Sequence, residues 1–106
     1  MDTQKILEVT AVEAHLDKTP HPPTLHVTAT GNASSGSQQN PRLERREYVE
    51  FPADGIQEYD FLIDGSAGPG TDDIKSHEVE DFWQNPPAEL KGARVYAQTN
   101  SKEDAI

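Results

Sequence analysis

The chain contains no cysteine and little apolar material, and these absences narrow both its chemistry and its class. Without cysteine, disulfide bonds and thiolate nucleophiles or metal ligands are excluded. No stretch approaches the ~20 apolar residues of a membrane-spanning helix, and the first residues lack the basic and apolar regions of a secretion signal. With 106 residues, of which 33% are hydrophobic and 7% aromatic, the sequence predicts one domain with a modest core. We therefore expect a soluble, cytoplasmic, single-domain protein.

Positive charge is scarce in the middle of the chain. The formal net charge is −10, and residues 47–89 hold twelve acidic side chains against a single basic one, Lys75. Such a surface repels phosphate backbones and anionic lipids, so we expect neither nucleic acid nor membrane as a partner. The only basic cluster, Arg42, Arg45 and Arg46, is interrupted by Glu44 and is typical of a charged edge strand that discourages aggregation.

Short alternating runs of apolar and polar residues are cut at intervals by glycine, proline, asparagine and aspartate. The clearest case is a predicted hairpin in which a strand over Leu43–Phe51 pairs with a strand over Ile56–Ile63. Pro52 presets φ and Gly55 supplies the positive φ that the intervening turn needs. Alternation predicts that the aromatic and aliphatic positions of the second strand face the core, namely Tyr59, Phe61 and Ile63.

The other segments repeat this pattern. Thr24–Thr30 alternates cleanly and predicts a half-buried strand. Ile6–Leu16 carries apolar residues of both parities, which a bulge near Ala11–Val12 would bring to one face; a helix is the competing interpretation. Six or seven short strands, including Ile74–Trp83 and Ala93–Thr99, predict an antiparallel β-sandwich of immunoglobulin-like or Greek-key type. A partly open β-barrel is the alternative.

The segments between these strands differ in stiffness. Asp17–Pro23 is rich in proline and predicts a rigid connector. Gly31–Gln39 and Asp64–Asp73 predict long, mobile loops. Pro87–Gly92 predicts one helical turn, and residues 100–106 are expected to form a frayed tail.

Several short motifs lie between residues 25 and 102. They are Asn40-Pro41-x-Leu43, Pro52-x-Asp54-Gly55-Ile56, Tyr59-Asp60-Phe61, Trp83, the run Pro87 to Ala97, and Thr99-Asn100-Ser101. Together they resemble a family of small, uncharacterised bacterial proteins with no assigned activity. The resemblance implies a bacterial, single-domain protein and carries over no catalytic or ligand-binding residue.

Two loop motifs that suggest ligands are incomplete. The run Gly65-Ser-Ala-Gly68-Pro-Gly70-Thr71 superficially resembles a phosphate-binding loop, but it is followed by acids where that loop has lysine. Asp64, Asp72 and Asp73 offer oxygen ligands for a hard cation such as calcium. The Asp-x-Asp-x-Asp-Gly spacing of a calcium loop and its closing bidentate glutamate are absent, so we interpret them as solvated acids.

The histidines do not form a zinc signature. His15, His21, His26 and His77 are scattered, and no two have the spacing of a helical or strand zinc motif. If the first two strands form a hairpin across Asp17–Pro23, His15 and His26 lie close together. Such a pair is typical of surface histidines that titrate near neutral pH, and we assign no metal site.

No catalytic constellation is visible. Serines are plentiful, but the Gly-x-Ser-x-Gly turn of a nucleophilic serine is absent. Asp60 lies between Tyr59 and Phe61, and strand alternation points it outward, away from any apolar pocket. The Asn32-Ala33-Ser34 glycosylation sequence is interpreted as chance because no secretion signal precedes it. We therefore assign no catalytic, cofactor-binding or metal-binding residue and expect no cofactor.

Trp83 is the only tryptophan and follows Phe82 directly. Because neighbouring strand residues face opposite sides, one of the two is expected to be buried and the other exposed. We predict that Trp83 belongs to the core. The alternative is an exposed aromatic that contacts a ligand or partner.

These observations predict a small, non-enzymatic β-sandwich that acts as a binding or accessory module. Its partner is expected to be another protein, contacted through an edge strand or through the loops Gly31–Pro41 and Asp64–Asp73. One alternative is a small hydrolase. Another is a divalent-cation or sugar-binding protein that uses the acidic, glycine-rich loop.

Overall fold

The computed structural model describes residues 3–19, 22–65 and 74–106. These ranges contain eight strands and no helix, so none of their segments is a helix that could cross a membrane. The strands are β1 (Thr3–Lys5), β2 (Glu8–Asp17), β3 (Thr24–Ala33), β4 (Gln39–Arg45), β5 (Ile56–Asp64), β6 (Lys75–Gln84), β7 (Gly92–Tyr96) and β8 (Ser101–Ala105). The predicted all-β class is confirmed, with one strand more than expected.

The strands form two sheets that pack face to face as a sandwich. In the three-stranded sheet, β3 lies between β2 and β6, and both pairs are antiparallel. In the five-stranded sheet, β5 pairs with β4 along one edge and with β1 and β7 along the other, and β8 follows outside β7. The sandwich prediction is confirmed, and the two sheets do not join into a barrel. β5 and β7 run parallel, so the structure does not support an immunoglobulin arrangement of antiparallel sheets.

The core lies between the sheets and comes mainly from the alternate residues of three strands. Leu25, Val27 and Ala29 of β3 face Tyr59, Phe61 and Ile63 of β5, and all six are buried. Val95 of β7 completes this layer. The predicted inward positions are therefore confirmed, since a period of two is enough to place one set of side chains inside.

The chain changes sheets just before β2. Ile6 still bonds to the five-stranded sheet, where its N–H donates to Phe61 O at 2.8 Å, whereas Glu8 already pairs with Asn32 of β3. The register of β2 against β3 shifts between Val9 and Ala11. This irregularity confirms the predicted bulge, slightly earlier than expected. It brings Val9 on one side of the shift and Val12, Ala14 and Leu16 on the other toward the core, and it leaves Ala11 exposed.

The two long sides of the sandwich differ. On the β2–β8 side, Val9 N–H donates to Asn100 Oδ1 at 2.8 Å and Asn100 Nδ2 donates back to Val9 O at 2.8 Å. Ala14 N–H also donates to Asp104 Oδ2 at 2.9 Å. Side chains of the β8 region thus close this side, whereas the opposite side, between edge strands β4 and β6, opens into a cleft.

The predicted strand over Leu43–Phe51 is wrong in its second half. β4 ends at Arg45, and Val49 is fully exposed, although the turn at Pro52–Gly55 is confirmed by a 3.0 Å bond from Gly55 N–H to Pro52 O. The physical reason is Tyr48. Its hydroxyl accepts the Glu58 N–H at 2.9 Å, so a side chain occupies the donor that a continued ladder would use.

The predicted mobile loop over Gly31–Gln39 is also corrected. β3 continues to Ala33 and β4 begins at Gln39, and the short connection between them is packed, with Ser35 and Gln38 buried. Gln38 Nε2 donates to Gly65 O at 2.8 Å, which ties this connection to the end of β5. Asn32 pairs within the sheet, where its amide donates to Glu8 Oε1 at 2.8 Å.

Two further expectations change at the C-terminal end. Pro87–Gly92 contains a turn closed by Leu90 N–H on Pro87 O at 3.1 Å rather than a helical turn. Residues 100–106 are not a frayed tail, because Ser101–Ala105 forms β8. Most of the second predicted loop, residues 66–73, lies outside the described residues.

Candidate binding cleft

A cleft of about 680 Å³ opens between β4 and β6 on the open side of the sandwich. Its walls come from the two edge strands and from the segment that follows β4. The lining residues are Leu43, Glu44, Arg45, Arg46, Glu47, Tyr48, Phe51, Gln57, Asp81, Trp83 and Pro87.

Strand register explains why charged side chains enter this cleft. Arg45 lies opposite the buried Tyr59 of β5, so it occupies an inward position on β4. Asp81 lies opposite the buried Val27 of β3 and likewise occupies an inward position on β6. The two edge strands therefore place an arginine and an aspartate face to face between the sheets.

The Arg45 guanidinium lies between a carboxylate and an aromatic ring. Its Nε is 3.4 Å from Asp81 Oδ2, and its central carbon is 5.0 Å from the centroid of the Trp83 ring. These contacts combine an ion pair with a cation–π interaction. Arg45 thus links the two sheets on the β4–β6 side. Among the described residues, no side-chain hydrogen bond to the backbone closes this side in the way that Asn100 closes the β2–β8 side.

Several buried polar atoms around this contact have no hydrogen-bond partner among the described residues. They are Arg45 Nη1, Asp81 Oδ2 and Tyr59 Oη. The Arg45–Asp81 contact therefore has the distance of an ion pair without the geometry of a hydrogen bond. Because an unmade buried hydrogen bond costs about 1–3 kcal/mol, an occupant that supplies polar partners here gains affinity.

The electrostatics of the pair favour an incoming cation. Burial raises the pKa of Asp81, and Arg45 opposes that rise. Burial, followed by the Asp81 charge, also raises the pKa of the Tyr59 hydroxyl. Asp81 is therefore a carboxylate whose charge is incompletely compensated, and a second positive group near it would lower its pKa.

The rim of the cleft is aromatic and held in place. The Tyr48 and Phe51 rings meet edge to face with centroids 6.1 Å apart. The Tyr48 hydroxyl donates to Glu58 Oε1 at 3.1 Å, and the buried Gln57 donates through Nε2 to Arg46 O at 2.8 Å. An apolar rim over a few fixed polar groups is typical of a preformed binding site.

The outer face of the five-stranded sheet provides a contrast, because its charges are paired. Tyr96 OH donates to Glu58 Oε2 at 2.5 Å, and this bond is the main reason that the pKa of Glu58 is lowered. Arg46 Nη2 donates to Asp60 Oδ1 at 2.8 Å, and the Arg46 guanidinium lies 4.3 Å from the Tyr96 ring centroid. Asp60 points outward as predicted and belongs to this network rather than to a pocket.

Trp83 combines the two alternatives considered for it. It is half-buried and packs against the core, and it also lines the cleft. Phe82 on the opposite face is 58% exposed, which confirms the predicted opposition of the two rings. Phe82 stacks on His26 with ring centroids 4.3 Å apart and planes 7° apart.

The predicted proximity of His15 and His26 is confirmed, since they are direct partners across β2 and β3. His26 Nε2 contacts Glu80 Oε2 at 2.8 Å, while His77 faces the inside of β6. Within the described ranges, no three histidine or acidic side chains are arranged to hold a metal ion. His21 lies outside those ranges.

Asp64 is engaged by neighbours of its own chain. Its carboxylate accepts from Thr3 Oγ1 at 2.7 Å, from Asn40 Nδ2 at 2.9 Å and from Arg42 Nη1 at 3.1 Å. These donors, with Thr3 first, lower its pKa to about 2. Asp72 and Asp73 lie outside the described residues, so a cation site that includes them stays a prediction.

The Asp64 contacts predict a pH dependence of stability. Because folding lowers the pKa of Asp64 from 3.8 to about 2, its charged form contributes stability above pH 3.8 that is lost as the pH falls toward 2. The difference in unfolding free energy between wild type and Asp64→Asn, measured by urea denaturation, is expected to be constant at higher pH and to shrink below it. Glu13→Gln, an exposed change on β2, is the control, and a difference that does not vary with pH would contradict the assignment.

The cleft pair is the site that sequence reasoning missed. The sequence predicts that the arginine cluster lies on a charged edge strand, and β4 is an edge strand. A signal was nevertheless present, because Arg45 follows Leu43 at the inward spacing and Asp81 stands two residues from both Val79 and Trp83. A charged residue at an inward position of an edge strand is a reason to look for an oppositely charged residue that faces it.

Comparison with known protein families, with curated proteins and with solved structures finds no match to this chain. Its function is therefore inferred from the residues of the cleft.

Proposed function

We propose that this protein is a non-enzymatic binding module that takes a segment of another protein into the cleft between β4 and β6. The observation that carries the proposal is that two side chains lining the cleft, Arg45 and Asp81, each keep a buried polar atom without a hydrogen bond beneath an aromatic rim. Buried polar atoms are normally satisfied, and a partner that reaches them explains why these are not.

The lining residues support binding rather than nucleophilic catalysis. The described lining contains no serine, threonine or histidine from which a nucleophile and its base could be drawn. Arginine, tyrosine and tryptophan, which it does contain, are the side chains enriched at the energetic centres of protein interfaces.

The open form of the cleft and its charge favour a protein partner with basic side chains. Two strand edges flank the opening, and strand edges offer backbone groups to an extended peptide. The net charge of −10 steers positively charged partners toward the surface. Asp81, which lines the cleft, is the acidic group that such a partner would meet inside.

Affinity capture with a matched pair of variants tests this function. Wild-type protein on a solid support is expected to retain a specific protein from extract of its host, and Trp83→Ala is expected to weaken that retention by about tenfold or more. Ile106→Ala, an exposed apolar residue away from both β6 and the cleft, is expected to retain the partner as wild type does.

A second cleft variant separates loss of binding from loss of folding. Asp81→Asn keeps the size of the side chain and is expected to weaken the same partner while its urea midpoint confirms a folded protein. Retention of the partner by both Trp83→Ala and Asp81→Asn would place the interface elsewhere and refute the proposed cleft.

A further inference from the structure

The outer edge of β6 is open along its whole length in the described chain. β6 pairs with β3 over ten residues, Lys75 to Gln84, in an unbroken antiparallel register. It stands at the end of the sheet order β2–β3–β6. In such a pair, alternate N–H and C=O groups of the edge strand point away from the sheet.

The edges at β4 and β2 are blunted, and β6 is twice as long as the edge strand β8. β4 has a register irregularity between Gln39 and Arg42, a proline at position 41 and a positive φ of 62° at Asn40. β2 is bonded through its backbone to Asn100 and Asp104. β6 contains neither proline nor glycine nor bulge, so it presents the regular edge that pairs readily with another strand.

The side chains of β6 define what such a strand would meet. On the outer face, Glu78, Glu80 and Phe82 stand at every second position of β6, and all three are exposed. On the inner face, Asp81 and Trp83 border the cleft. A strand lying beside β6 would therefore place one set of side chains against two carboxylates and the other set over the mouth of the cleft.

We propose that an extended, basic segment of the partner adds to β6 as a fourth strand of the three-stranded sheet, with lysine or arginine at alternate positions opposite Glu78 and Glu80. This inference rests on the proposed function, because it names how the partner lies across the cleft. Backbone hydrogen bonds to β6 fix the register of the added segment. Charge pairs with Glu78 and Glu80 on the outer face select a basic segment over an acidic one.

Charge argues against a second copy of this chain as the occupant. Two β6 strands pairing antiparallel would bring Glu78 and Glu80 of both copies close together, on proteins that each carry a net charge of −10. Acidic side chains also protect an edge from aggregation. Protection alone leaves unexplained why Arg45 and Asp81 each keep a buried polar atom without a hydrogen bond, whereas an occupant beside β6 lies within reach of the cleft that both line.

Synthetic peptides test the inference directly. The probe is a labelled peptide as long as β6, 10 residues, that alternates lysine with valine, and the control alternates glutamate with valine. In fluorescence polarisation the lysine peptide is expected to bind at least about tenfold more tightly. N-methylation of one alternate set of its amides is expected to abolish binding, and methylation of the other set to leave it unchanged, because only one peptide edge pairs with β6.

A charge exchange on the protein completes the test. The double variant Glu78→Lys and Glu80→Lys is expected to lose the lysine peptide by about tenfold and to gain the glutamate peptide. Glu13→Lys, on the same outer face but on β2, is the control and is expected to leave both affinities unchanged.

The outcomes separate this inference from the proposed function. Equal binding of the two peptides, equal effects of both methylation patterns, or a dimer in sedimentation that the double variant dissolves would each overturn strand addition by a basic segment. If the captured partner is still lost with Trp83→Ala in any of those cases, the cleft keeps its function and only the mode of binding is wrong.

Discussion

Phe61→Ala is expected to lower the free energy of unfolding by about 3–5 kcal/mol. Phe61 is fully buried at the centre of β5, and its ring packs directly on Gly31 of β3, where an added Cβ would stand only 3.0 Å from Phe61 Cε2. Glycine has no side chain that can move into the space left by the ring. The cavity therefore stays open, which places the cost at the upper end of the usual range.

Urea denaturation followed by the fluorescence of Trp83, the single tryptophan, measures this loss. Because the whole protein is expected to be stable by only about 5–15 kcal/mol, Phe61→Leu serves as a milder variant with an expected loss of about 1–2 kcal/mol. Phe82→Ala, which removes the same side chain from an exposed position, is expected to cost less than about 1 kcal/mol. Similar losses for Phe61→Ala and Phe82→Ala would show that the core is not where the structure has it.

Asn100→Ala is expected to lower the free energy of unfolding by about 2–3 kcal/mol. The Asn100 side chain accepts from Val9 N–H and donates to Val9 O, both at 2.8 Å, and Val9 is buried at the bulge of β2. Alanine leaves both backbone groups of the buried Val9 without a partner, in a contact that is partly buried. The loss is therefore the desolvation cost of two groups rather than the net value of two exposed hydrogen bonds.

Thr99→Ala provides the matched control for this site. It removes a 2.8 Å bond from Thr99 Oγ1 to Leu7 O, but that bond is exposed, so water replaces it and the expected cost is below about 1 kcal/mol. Hydrogen exchange gives a local readout, because the Val9 amide is expected to exchange faster in Asn100→Ala and not in Thr99→Ala. Equal losses in both variants would contradict the closure of the β2–β8 side by Asn100.

The elements that were predicted correctly depend on neighbouring residues. Alternation placed Leu25, Val27, Tyr59, Phe61 and Ile63 inside, since strand geometry turns every second side chain to the same face. The bulge in β2 followed from the same rule, because its apolar residues change parity along the strand. Both inferences needed only the local spacing of residue types.

The elements that were predicted wrongly depend on contacts between one segment and the next rather than on the pattern within a segment. Tyr-Val-Glu-Phe alternates like a strand, yet Tyr48 bonds to Glu58 and the ladder stops at Arg45. The polar run after Thr99 resembles a tail, yet it pairs with β7 as a strand. In both cases hydrogen bonds to a neighbouring segment outweighed the preference of the local sequence.

The inferences about function also divide into those that local sequence supports and those that need tertiary contacts. The basic cluster on β4 was recognised from composition, but its contact with Asp81 required β4 and β6 to become facing edges of different sheets. The bacterial resemblance, the cytoplasmic location and the absence of catalysis stay predictions. A protein partner is likewise inferred from the cleft and awaits capture.

Residue order alone was sufficient for the all-β class, for the two-layered architecture and for most of the core, because a period of two and the turn residues between runs are local properties. Which edges close and which remain open followed from packing. Asn100 closes one side by reaching β2, while Arg45 and Asp81 meet on the other. These side-chain contacts are determined by how two twisted sheets bury their shared apolar face. No short stretch of sequence contains that information.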